Sequence, residues 1–132
     1  MRILATLTAR VVVCTTLIQA ARLAAAADLS GPWRLEFQGE STTAVYQADC
    51  VWEQEGPRLT GSCTSGFESI VTVRGRSDGA DVTFQFASGV DSGTVMTFTG
   101  RLNDRETVIE GRWQFKDAQG QSGGGSFTAT KR

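Results

Sequence analysis

Several groupings along the chain have the residue types and spacing from which chemistry could be built. Gly120-Gln121-Ser122-Gly123-Gly124 fits Gly-x-Ser-x-Gly, the turn that presents a serine nucleophile in many hydrolases. That chemistry needs a histidine base and a strand-to-helix turn. The 132 residues contain no histidine. Ser–His and Cys–His nucleophile systems, imidazole metal sites and the commonest general base are therefore excluded together. No adjacent lysine and no following helix make these glycines a phosphate cradle, and a glycine-rich hairpin over Gly120 to Gly125 accounts for them. Asp49 with Glu53, or Glu53 with Glu55, offers a carboxylate pair of the kind that hydrolyses glycosides. Both pairs fall on the solvent-facing phase of one hairpin. Asp78/Asp81 and Asp104/Glu106 lack the ligand spacing of a calcium loop and read as turn residues. The expectation is a protein without catalytic residues, metal or cofactor, not an enzyme.

What remains is binding. Trp33, Tyr46, Trp52 and Trp113 share one alternation phase, and a cavity lined by such rings with few converging polar groups would take a small apolar or aromatic molecule. The alternative is that the rings simply fill the interior. The protein would then be a rigid barrel acting through its surface, as an envelope interaction protein or an enzyme inhibitor.

The elements that must position these rings are strands. Short alternating segments separated by glycine-, asparagine- or acid-containing turns predict eight, near 32–38, 44–54, 58–64, 67–75, 80–88, 93–102, 106–115 and 124–131. One face carries Trp33, Leu35, Phe37, Tyr46, Cys50, Trp52, Leu59, Cys63, Phe67, Val71, Val73, Val82, Phe84, Phe86, Met96, Phe98, Ile109, Trp113, Phe115, Phe127 and Ala129. Every tryptophan and phenylalanine and the single tyrosine lie in that phase, while the other holds Arg34, Glu36, Asp49, Glu53, Arg74, Gln85, Glu110 and Arg112. Such sorting means half-buried antiparallel strands around one interior. Glycines two residues after an apolar side chain (39, 61, 75, 100 and 111) let strands bend or let a large neighbour cross them. The expected fold is all-β, a single eight-stranded antiparallel up-and-down barrel, with a two-sheet sandwich as the alternative.

Residues 1–27 have the layout of a signal peptide: Arg2 and Arg10, an eleven-residue apolar run from Val11 to Ala21, and small residues Ala24 to Ala27 before a cut at Asp28. The run is too short to span a bilayer, and Val13 before Cys14 does not suit lipidation. A retained amphipathic helix is the alternative. Cleavage would leave residues 28–132 as the domain, and losing Arg2, Arg10 and Arg22 would take the net charge from −1 to −4. Nucleic acid is not an expected partner of an acidic domain, nor is membrane insertion expected. Periplasmic or extracellular residence follows, and with it a Cys50–Cys63 disulfide. A hairpin centred on Gly56-Pro57 sets Cys50 opposite Cys63 and Trp52 opposite Gly61.

Gly31-Pro32-Trp33 at the head of the first strand resembles the Gly-x-Trp of the calycin superfamily, which includes lipocalins, fatty-acid-binding proteins and avidins. The resemblance implies a basic residue from the end of the last strand, Lys131 or Arg132, lying over Trp33. It also implies a lipocalin-like ligand site at the barrel mouth. In layout the chain is similar to short secreted bacterial barrels. It is shorter than a typical lipocalin and has no helix pattern before the last strand. Leu59-Thr60-Gly61 resembles the second-hairpin motif of avidins, but Cys63 stands where their ligand-contacting tyrosine would be, so biotin is not the implied ligand.

Overall fold

The alternation is carried into eight antiparallel strands in the computed structural model, which describes residues 27–65, 70–88 and 93–132. They are β1 (Gly31–Gly39), β2 (Val45–Glu55), β3 (Arg58–Ser65), β4 (Ile70–Asp78), β5 (Asp81–Ser88), β6 (Val95–Leu102), β7 (Val108–Lys116) and β8 (Ser122–Lys131). Each strand pairs with the next, and β8 returns to β1, so the sheet closes into an up-and-down barrel. The closing seam runs from Trp33↔Lys131 to Gly39↔Gly125 and rules out two separate sheets. No helix occurs among the described residues. The expected signal peptide, with Cys14, lies outside the described residues apart from its last residue, Ala27.

The inward phase becomes the core. Trp33, Leu35, Trp52, Leu59, Val82, Phe84, Phe98, Ile109 and Ala129 are almost wholly buried, with Phe86, Trp113 and Phe127 nearly so. An eight-stranded barrel has an interior just wide enough for such side chains to fill. The β2–β3 hairpin has the expected register, Cys50↔Cys63 and Trp52↔Gly61, and the two cysteines are joined in a buried disulfide. Gly61 is required there because a Cβ would stand 2.2 Å from the Val51 carbonyl oxygen, beneath the Trp52 ring.

Two strands sit differently from expectation. β4 is shifted toward the C-terminus and ends at Asp78, because a tight Gly79-Ala80 turn pairs Asp78 with Asp81 and keeps Ser77 in the ladder, facing inward. Phe67, placed in that strand by its alternation, lies outside the described residues. β8 begins at Ser122, so Gly123, Gly124 and Gly125 are strand residues rather than turn. The turn before them is made by Asp117, whose carboxylate accepts the amides of Gln119 and Gln121. The glycines are there for close approach. A Cβ on Gly123 would meet the Phe115 ring at 2.7 Å, and one on Gly125 would overlap the Gln38 carbonyl oxygen at 1.7 Å.

Replacing both Cys50 and Cys63 by serine is expected to cost about 2–3 kcal/mol, since the closed loop is short. An unchanged urea midpoint would show that the bridge adds nothing. Gly125→Ala is expected to cost about 3 kcal/mol or more by forcing β8 off β1. Gly120→Ala, in open space at φ +81°, is expected to cost only about 1 kcal/mol. Equal losses in denaturant titrations of the two would contradict this reading of the seam.

Candidate functional site

The four rings singled out in the sequence do not form one cluster; they lie at opposite ends of a column of aromatic side chains. Trp33 stacks on Trp52 at 5.1 Å between centroids, Trp52 meets Phe84 at 5.1 Å, and Phe84 stacks on Phe98 at 4.7 Å. From Phe98 the column continues to Phe37 at 5.6 Å, then to Tyr46 at 5.4 Å and Trp113 at 5.3 Å. Each such pair adds about 0.5–1.5 kcal/mol beyond its buried area. The rings therefore hold one another as well as the strands.

The Trp33 end is sealed. Residues 27–30 fold across it: the Trp33 indole N–H donates to the Leu29 carbonyl at 2.8 Å, and Leu29 itself is fully buried. Gln54 clamps the segment, accepting the Leu29 amide at 2.7 Å through its side chain and donating its own amide to Ser30 Oγ at 3.0 Å. The Ser30 amide on the Asp28 carboxylate holds that acid below the ordinary range. Lys131 pairs with Trp33 in the seam, but its ammonium donates to the Asp28 carbonyl, and the Arg132 guanidinium reaches Asp49 at 3.2 Å. The basic chain end thus binds polar groups, and Leu29 is what meets the indole. Sequence reasoning missed Leu29 because it precedes every strand; its one signal was an apolar residue between Asp28 and Ser30.

The other end is less covered among the described residues. It is formed where β1, β3, β5 and β7 finish and β2, β4, β6 and β8 begin. There Phe37, Met96 and Phe115 are only partly covered, and Tyr46, in the inward phase opposite Phe37, is 52% exposed. Trp113 is fixed beneath them by a hydrogen bond from its indole N–H to the Gln38 carbonyl at 3.0 Å. Outside this rim, Val45, Ile70 and Val95, the first residues of β2, β4 and β6, are all exposed. Two connections at this end, 66–69 and 89–92, lie outside the described residues. Beside the mouth, a groove of about 870 Å³ runs along the outer face between Glu40, Thr97, Arg112, Gln114 and Gly124. Arg112 and Glu40 form an ion pair across it.

The polar candidates stay apart. Asp49 is bound by Arg34 and Arg132 on the outer face, and Glu53 and Glu55 are exposed beside it. Ser122 opens β8 opposite Lys116, with no helix behind it. Among the described residues no three metal-ligating side chains come together. Among the described residues, apolar rings are left partly covered at one end, and the carboxylates and Ser122 singled out in the sequence stand apart from them. Compared with known proteins, the sequence matches no family model and no curated protein.

Proposed function

We propose that the chain is a non-enzymatic binding module that accepts one small apolar or aromatic molecule in the barrel mouth. The observation that carries this is the asymmetry of the two ends. Leu29, Trp33 and Trp52 are sealed at one, whereas Phe37, Tyr46, Met96 and Phe115 are left partly uncovered at the other. An apolar ligand laid on Phe37, Tyr46 and Trp113 would complete the column, and the aliphatic rim of Val45, Ile70 and Val95 would ease its entry. The ligand seat is shallow, because Phe98 and Phe84 occupy the axis below. Of the four rings expected to line the site, this reading uses Tyr46 and Trp113; Trp33 and Trp52 act as its floor support.

The reading places the protein outside the cytoplasm as a calycin-like carrier. The Cys50–Cys63 disulfide, the Gly31-Pro32-Trp33 opening and the signal-like N-terminus support that placement. A second reading, a filled barrel acting through its surface on another envelope protein, is favoured by the unbroken ring column and by the outer groove beside Arg112.

Titrating retinoids, fatty acids, haem-like dyes and flavonoids while following tryptophan emission separates the two. Mouth binding predicts a saturable quench or shift that is lost in Trp113→Phe and kept in Trp33→Phe. Trp113→Ala should weaken a bound ligand by roughly tenfold, about 1.4 kcal/mol. No response to any of these compounds would sink the carrier reading and leave the surface one.

A further inference from the structure

We infer that Arg58, Arg74 and Arg76 form a phosphate-binding site on the outer face of β3 and β4, at the sealed end and separate from the mouth. Arg34, Arg101, Arg112 and Arg132 each have a carboxylate partner, namely Asp49, Asp81, Glu40 and again Asp49. Among the described residues Arg58, Arg74 and Arg76 make neither an ion pair nor a side-chain hydrogen bond. Their placement is unfavourable for stability. Arg58 and Arg76 stand directly opposite each other in the β3–β4 register, both exposed, and like charges so placed repel. Arg74 is two residues along the same face, so three guanidinium groups share one patch of a domain whose net charge is acidic.

Among the described residues no carboxylate forms an ion pair with them. Arg74 lies between Thr60 and Gln85, and Arg76 between Arg58 and Thr83, so the cross-strand partners are hydroxyls, an amide and another cation. Acids border the same patch without pairing with these three arginines: Glu55 opposes Arg58 at the hairpin end, Asp78 ends β4, and Asp81 is engaged by Arg101. Between Arg74 and Arg76 the chain carries Gly75, which with Arg76 lines both of two shallow concavities of about 480 and 400 Å³. Three forked cations on one exposed patch suit a tetrahedral dianion, which can take paired N–H bonds from more than one guanidinium.

Inorganic phosphate, titrated at constant ionic strength against chloride, tests this through the Nε–H signals of the arginines in nitrogen-15 spectra. The expected result is joint, saturable movement of Arg58, Arg74 and Arg76 in the millimolar range with Arg105 still, and at least a tenfold loss of affinity in Arg76→Gln. Arg76→Gln should also melt higher than the natural chain in dilute chloride, an advantage that phosphate removes. Vesicles carrying a phosphate-monoester lipid form a second arm. Binding to them that Arg76→Gln abolishes, without millimolar binding of free phosphate, assigns the group to a lipid headgroup. Failure of both arms, or shifts spread equally to Arg105 and Lys116, would overturn the site. Neither outcome bears on ligand uptake at the mouth.

Discussion

The contact on which the rest depends is the seam between β1 and β8. A sheet of eight strands left open would expose two edges and a face of aromatic side chains; closure removes the edges and sets the interior width. The closure is made by backbone, and it is possible because Gly125 lets β8 come close enough to Gln38 that no side chain would fit. Once the seam forms, Phe127 and Phe37 face inward from adjacent strands, and the rings between them have a fixed volume to fill. The chain ends are tied to the same seam: the Arg132 amide donates to the Pro32 carbonyl, and Lys131 reaches Asp28.

Closure also creates two unlike ends. At one, the chain entering β1 folds over Trp33 and is held by Gln54, so the last ring of the column has an apolar neighbour and a hydrogen-bond acceptor. At the other, nothing in the described chain plays the part of Leu29, and Tyr46 and Phe115 stand at the rim. Two hydrogen-bonding groups inside the barrel, Trp52 Nε1 and Ser77 Oγ, are buried without a partner among the described residues.

Much of this was legible in the alternation of residue types. Period-two sorting of the rings from Trp33 to Phe127 gave the strands and the barrel and most of the core, although Tyr46 stands half-exposed and Phe67 lies outside the described residues. The turn at Gly56-Pro57 gave the Cys50–Cys63 register, because a hairpin with a tight turn leaves one pairing. What was not legible depended on contacts between distant segments. Leu29 has no periodic context, so its role as a lid appears only when the N-terminal segment meets β2. Gly123 to Gly125 carry turn chemistry by type, and their place inside β8 is decided by Phe115 and Gln38 across two seams. The end of β4 is set by the register across the Gly79-Ala80 turn, which composition alone placed three residues too early. At the candidate site, the sequence identified the aromatic residues but not that the column separates Trp33 and Trp52 from Tyr46 and Trp113. Position along the barrel axis follows from register, which residue type does not carry.

The most direct test of closure is amide hydrogen exchange along the β1–β8 ladder, read residue by residue under native conditions. The seven other seams each join strands consecutive in the chain; the β1–β8 seam has only tertiary structure to hold it. The account predicts that amides from Leu35 to Phe37 and from Phe127 to Ala129 that lie in this ladder exchange as slowly as those between β6 and β7. Fast exchange in this ladder, with the other seams still protected, would mean an open sheet and would contradict the closed barrel, the filled column and the sealed end together.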